Sequence, residues 1–98
     1  MKIVLVCTAG MSTSILVQKM KDAAKAKSVD ADISAVAEPD FAEHSAGVNV
    51  LLLGPQARFK FEQLKAEYEP KGLKVAVINA VDYGRMNGEK VLDMALSL

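Results

Sequence analysis

The regular alternation of strand-like and helix-like segments is the feature of this sequence that most constrains its fold. Segments that can form helices separate four strand-like runs, at residues 3–6, 32–37, 48–53 and 74–78. Strands that alternate with helices form parallel sheets, because a parallel connection needs a long crossover that covers a face of the sheet. The sequence therefore predicts a single α/β domain over residues 1–98, a three-layer sandwich with a four-stranded parallel sheet and helices on both faces.

The composition of the strands predicts their order. Residues 3–6 and 48–53 are the runs richest in large apolar side chains, which is typical of central strands covered on both faces. Residues 32–37 carry fewer large apolar groups, so we expect this strand at an edge of the sheet. Right-handed crossovers then favour the order 2-1-3-4. In that order the chain reverses direction between strands 1 and 3, where open parallel sheets bind ligands.

Helical spacing predicts three helices and one shorter helical segment, over residues 15–27, 56–68, 88–96 and 39–44 respectively. Asn87 is the expected cap of the last helix. Residues 79–88 are expected to form a polar loop before it. Phe59 lies off the apolar stripe of its helix, which consists of Ala57, Phe61, Leu64 and Tyr68. Such an aromatic can contact a partner, although isolated exposed apolar residues are common.

The only cysteine, Cys7, ends the first strand-like run and precedes a stretch of small and hydroxylated residues. A strand, such a loop and a helix present unpaired N–H groups and partial positive charge to an anion. A thiol in that setting ionises more readily than a free thiol, which suggests phosphoryl chemistry on sulfur. The simpler interpretations are a buried cysteine that acts as a small hydrophobe, serine and threonine helix caps, and a turn glycine at position 10.

Two other segments follow strands at the same predicted edge of the sheet and could border the site. One is Gly54, Pro55 and Gln56, and the other contains Asp82 and Tyr83. The first is equally compatible with a plain strand-to-helix connection. His44, the only histidine, is a candidate phosphate acceptor, but no phosphate-binding pattern surrounds it.

Composition excludes several classes of function. Twelve basic and twelve acidic residues cancel, so the net charge gives no case for binding nucleic acid or an anionic membrane. A single cysteine excludes an internal disulfide and a cysteine-cluster metal site, and we expect no metal or cofactor. The first six residues are too short for a signal peptide, and no run approaches the length of a membrane span. A cytoplasmic protein without direct membrane insertion is therefore expected.

The sequence resembles the enzyme IIB component of the bacterial sugar phosphotransferase system, lactose/cellobiose (chitobiose) type. The resemblance covers essentially the whole chain. Its most specific part is the motif Cys7-Thr8-Ala9-Gly10-Met11-Ser12-Thr13-Ser14. Residues 51–56 match moderately, and Asp82-Tyr83-Gly84 with Gly88 matches weakly on its own.

This resemblance implies a function and two partners. A histidine of the IIA component would phosphorylate Cys7, and the phosphoryl group would pass to a sugar bound in the membrane component IIC. Residues 8–14 would form the phosphate loop, in which backbone N–H groups and the hydroxyls of Ser12, Thr13 or Ser14 bind the phosphate oxygens. The sequence does not identify the sugar, although a β-linked disaccharide is expected.

Two alternatives remain open. Low-molecular-weight tyrosine phosphatases have a similar layout and also form phosphocysteine, but their motif carries an arginine six residues after the cysteine. Position 13 here is threonine, and without a bidentate arginine efficient hydrolysis is not expected. The second alternative, a redox or regulatory thiol module, lacks a second cysteine to resolve a disulfide.

Overall fold

A parallel sheet forms the centre of the structure, a computed structural model that describes residues 1–7 and 11–98 (for residues 11 and 12, the backbone alone). Within these residues the strands are β1 (Lys2–Cys7), β2 (Asp32–Ala37), β3 (Val50–Leu53) and β4 (Lys74–Val77). Their order is β2-β1-β3-β4, and each neighbouring pair is parallel. The predicted α/β fold and strand order are confirmed.

Helices cover both faces of the sheet. The helices α1 (Met11–Ala26) and α5 (Gly88–Leu96) pack on one face, and α2 (Phe41–His44) and α3 (Phe61–Tyr68) on the other. Successive side chains of β1 alternate between the two cores, as the period of a strand requires, and residues 3–6 are 0% exposed. Burial on both faces explains why this run is continuously apolar.

The carboxyl ends of the strands meet at one edge of the sheet. Val6 pairs with Leu53, and Leu53 with Val77, so the chain leaves β1, β3 and β4 on the same side. The segments that follow these strands are α1, a 3₁₀ helix at Pro55–Lys60, and a short helix α4 (Ala80–Gly84). We call this side the carboxyl edge.

Two predicted helix boundaries were wrong. The helix α1 begins at Met11 rather than near residue 15, because short hydroxylated residues fit the first turn of a helix and nothing after Gly10 interrupts it. The segment predicted as one helix over residues 56–68 begins as the 3₁₀ helix and becomes α-helical only at Phe61. Pro55 starts that segment with a fixed φ and no N–H donor, as is typical of a first helical position.

The predicted polar loop over residues 79–88 contains a helix that the sequence pattern did not reveal. Asn79 Oδ1 accepts hydrogen bonds from the backbone N–H groups of Val81 at 2.8 Å and Asp82 at 3.4 Å, which caps α4. Asn87 Oδ1 accepts from the N–H of Lys90 at 3.2 Å, which confirms the predicted cap of α5. One asparagine thus starts each of the two helices that follow β4.

Candidate functional site

Cys7 is the last residue of β1 and is 1% exposed. Its burial agrees with the simpler interpretation of a small buried residue, but the sulfur has a polar neighbour. Cys7 Sγ lies 2.7 Å from Thr13 Oγ1, within hydrogen-bond distance, and either atom can be the donor. The sulfur therefore contacts a hydroxyl in the first turn of α1 rather than an apolar core alone.

Thr13 connects the cysteine to a third element of the fold. Its side chain is 0% exposed, and its hydroxyl oxygen lies 3.3 Å from the hydroxyl oxygen of Tyr83. Tyr83 is buried on α4, and its backbone N–H donates to the carbonyl oxygen of Asn79 at 2.9 Å. The cap that starts α4 thus also positions the tyrosine. The sequence indicated Tyr83 only as a possible border of the site, and its direct contact with Thr13 was missed.

Gly54 lies beside the same group of residues. A Cβ atom at this position would lie 3.4 Å from Cys7 Cβ, 3.4 Å from Tyr83 Cε2 and 3.2 Å from Gln56 Oε1. The close approach of the glycine backbone leaves room for the cysteine and the tyrosine ring to lie side by side. Of its neighbours along the chain, Pro55 is half-buried and Gln56 is exposed.

The other predicted site residues are distributed as follows. Asp82 is half-buried on α4, next to Tyr83, and Ser14 is exposed on α1. Thr8, Ala9 and Gly10 lie outside the described residues, as do the side chains of Met11 and Ser12. For these five positions, as for Thr13 and Ser14, the phosphate-binding role stays a prediction.

His44 is not part of this group. It ends α2 and is exposed. Two residues later, the carbonyl oxygen of Ala46 accepts from Lys2 Nζ at 3.4 Å, at the amino end of β1. Cys7 stands at the opposite end of that strand, so the fold gives no support to a shared histidine–cysteine site.

Exposed apolar side chains occur on each segment that leaves the carboxyl edge. Ile15 on α1 is 55% exposed, Phe59 on the 3₁₀ helix 69%, and Val81 on α4 58%. Across residues 1–7 and 11–98, no group of three or more histidine, cysteine, aspartate or glutamate side chains could hold a metal ion. Within the same residues, no helix has the length and hydropathy needed to cross a membrane.

Comparison with known proteins gives consistent results. The family model for the "PTS system, Lactose/Cellobiose specific IIB subunit" matches residues 2–94. The chain is 39% identical over 97 residues to the oligo-beta-mannoside-specific EIIB component of Bacillus subtilis (strain 168), covering 99% of this chain and 94% of that protein. It is 43% identical over 101 residues to the galactose-specific EIIB component of Lactococcus lactis subsp. cremoris (strain MG1363), covering 98% and 94%.

The fold is also shared with a solved structure of this class. The solution structure of the cellobiose-specific phosphotransferase IIB component from Borrelia burgdorferi matches with a TM-score of 0.80 and 48% identity, covering 99% of this chain and 89% of that one. The family match and the similarity to relatives each extend over nearly the whole chain. The chain belongs to the lactose/cellobiose-specific IIB subunit family of the sugar phosphotransferase system.

Proposed function

We propose that Cys7 carries the phosphoryl group in a sugar phosphotransferase system. Cys7 loses its thiol proton and the thiolate sulfur attacks the phosphorus of a phosphohistidine on the IIA component; the P–N bond breaks, and the departing imidazole nitrogen takes up the proton. A hydroxyl oxygen of the sugar held by the membrane component IIC then attacks the same phosphorus, and the S–P bond breaks. The cysteine returns to its thiol form when it takes up the proton that the sugar hydroxyl loses.

The observation that carries this proposal is the position of the only thiol of the chain. Cys7 ends β1 at the carboxyl edge and contacts Thr13 in the first turn of α1. The first N–H groups of a helix have no partner within the helix and attract anions. We propose that residues 8–14 hold the three phosphate oxygens, mainly through these backbone groups.

The hydroxyl of Thr13 also favours transfer over hydrolysis. In the phosphatase layout an arginine at this position would clamp the phosphate in a bidentate manner. Here the side chain is buried, uncharged and directed to the sulfur. A phosphate held by neutral donors gains less ground-state stabilisation and is therefore surrendered more readily to the next acceptor.

The sugar is proposed at the level of its class. The names of the relatives refer to oligo-beta-mannosides, galactose and cellobiose. A β-linked disaccharide is the proposed substrate, and we assign the choice among such sugars to the IIC component. The IIB chain would then act at the cytoplasmic face of the membrane, where IIC binds it transiently.

Site mapping tests the proposal directly. After incubation with a phosphorylated IIA donor, we expect the intact chain to gain the mass of one phosphoryl group, and peptide fragmentation to locate it on Cys7. Phosphate on His44 would contradict the proposal. Turnover of an aryl phosphate by the chain alone, at about 1 per second or faster, would favour the phosphatase alternative.

We expect the exposed ring of Phe59, in the 3₁₀ helix that follows β3, to take part in binding the partner proteins. Both partners must reach the same sulfur, so we expect them to compete for a surface that includes Phe59, which is 69% exposed. Phe59→Ser should lower the rate of phosphorylation at subsaturating donor about fivefold or more, as is common for aromatic interface residues. Thermal stability should change little because the ring is exposed. Mass spectrometry of reactions quenched at successive times, at several donor concentrations, measures the phosphorylation rate.

A matched control removes an exposed apolar residue at the other end of the molecule. Leu98 is 47% exposed and follows α5. Asp93 of α5 forms an ion pair with Lys27, which follows the carboxyl end of α1. This end of α1 lies far from its amino end, where Thr13 contacts Cys7. Leu98→Ser should leave the phosphorylation rate unchanged. Equal effects of the two substitutions on the phosphorylation rate would show that Phe59 is not part of the docking surface.

A further inference from the structure

Three polar side chains from three different elements form a buried chain of contacts that ends on the sulfur. Tyr83 Oη lies 3.3 Å from Thr13 Oγ1, which lies 2.7 Å from Cys7 Sγ. Tyr83, Thr13 and Cys7 are 5%, 0% and 1% exposed. Water has little access to these groups, so the hydrogen bonds among them are electrostatically stronger than they would be at the surface.

The ionised form of the cysteine allows only one direction for these hydrogen bonds. A thiolate has no hydrogen and can only accept, so Thr13 must donate its single hydroxyl hydrogen to the sulfur. Thr13 then has no hydrogen left for the tyrosine, so in the hydrogen bond between them Tyr83 is the donor and Thr13 Oγ1 the acceptor. A hydrogen bond to an ionised acceptor is stronger than one between neutral groups, and a second donor strengthens it further.

We propose that Tyr83 is a positioning residue that acts through Thr13 to stabilise the negative charge on Cys7. This inference rests on the proposed function, in which the thiolate is both the nucleophile toward the donor and the leaving group toward the sugar. Negative charge is present on the sulfur at the start of the first step and at the end of the second. The hydroxyl chain therefore assists both steps, while it binds the uncharged sulfur of the phosphocysteine less strongly.

Two features of the fold keep the tyrosine in place. The side chain of Asn79 caps the start of α4, and the backbone carbonyl oxygen of Asn79 accepts from the N–H of Tyr83 at 2.9 Å. The backbone of Gly54 lies against the ring, since a Cβ there would be 3.4 Å from Tyr83 Cε2. Tyr83 is thus held in place by the start of its own helix and by the backbone of Gly54.

The proposal is tested by alkylation of Cys7 with iodoacetamide as a function of pH. Cys7 is the only thiol, so the reaction reports on this sulfur alone and needs no phosphotransferase partner. Removing a donor to the charged form lowers the fraction of thiolate, so the midpoint of the rate profile should move to higher pH. Below the midpoint, we expect a rate about tenfold lower for Thr13→Val and about threefold lower for Tyr83→Phe.

A conservative variant separates positioning from packing. Thr13→Ser keeps the hydroxyl and should retain the midpoint of the unaltered chain. At high pH the variants with a raised midpoint should be alkylated at least as fast as the unaltered chain, because a more basic thiolate is a stronger nucleophile. A residue that merely fills space would change thermal stability or the maximal rate without moving the midpoint. An unmoved midpoint in either Tyr83→Phe or Thr13→Val, or a shift in Thr13→Ser equal to that in Thr13→Val, would overturn the proposal. Because the donor is absent, these outcomes are independent of whether Cys7 is the phosphoryl carrier.

Discussion

Replacing Cys7 with serine should abolish phosphoryl transfer and leave the fold intact. The substitution exchanges one sulfur for one oxygen at a buried position, and a hydroxyl there still forms a hydrogen bond with Thr13. A serine hydroxyl is scarcely ionised at neutral pH, so it cannot replace the thiolate as nucleophile without a neighbouring base. Mass spectrometry after incubation with phosphorylated IIA should show no stable phosphorylated chain, while circular dichroism matches that of the unaltered protein.

The control for this experiment is a substitution at His44, the other candidate phosphate acceptor in the sequence. His44 is exposed at the end of α2 and lies outside the cysteine site, so His44→Gln should be phosphorylated at the normal rate. Normal transfer by the Cys7→Ser variant, or its loss in His44→Gln, would refute the assignment of the carrier to the cysteine.

The strand order was predictable because it depends on gross composition. A strand that is covered on both faces needs apolar residues at successive positions. Residues 3–6 meet that requirement, since all four side chains are apolar and 0% exposed. Once two strands are central, the handedness of crossovers leaves few ways to connect the remaining two. The same reasoning places Cys7 and Gly54 at one edge of the sheet, and in the structure a Cβ at Gly54 would lie 3.4 Å from Cys7 Cβ.

The helix α4 was not predictable in the same way. It has five residues, Ala80–Gly84, which is too short for a periodic apolar pattern to emerge. Its formation depends on one local interaction, in which Asn79 Oδ1 accepts from two backbone N–H groups. An asparagine before a polar segment serves equally well in a turn, so the sequence alone does not distinguish these outcomes.

The contact between Thr13 and Tyr83 could be predicted only in part. Topology brings the segments after β1 and β4 to the carboxyl edge, and both residues belong to those segments. It does not determine which hydroxyl contacts which, because that depends on side-chain rotamers across 70 positions of sequence. The sequence predicted the hydroxyls of Ser12, Thr13 or Ser14 as phosphate donors, and this stays a prediction. The structure adds that the Thr13 hydroxyl lies within hydrogen-bond distance of both the sulfur and the tyrosine hydroxyl.

Gly88→Ala should strongly destabilise the fold, because the first residue of α5 lies against the backbone of α1. A Cβ at Gly88 would lie 2.6 Å from Met20 N and 2.6 Å from Lys19 Cβ, and closer still to the carbonyl carbon of Lys19. Backbone atoms cannot rotate away, so the two helices would have to separate. We expect a loss of about 2–3 kcal/mol in the free energy of unfolding. For a domain of this size, this lowers the melting temperature by about 10–20 °C.

A second glycine provides the matched control for this substitution. A Cβ at Gly84, which ends α4, would have no atom within 4 Å. Gly84→Ala should therefore be neutral or raise the free energy of unfolding by up to about 1 kcal/mol, since alanine restricts the unfolded chain. Urea unfolding of both variants gives the comparison. Equal stability of the two would mean that α1 and α5 can move apart at little cost, and that Gly88 is not needed for their close packing.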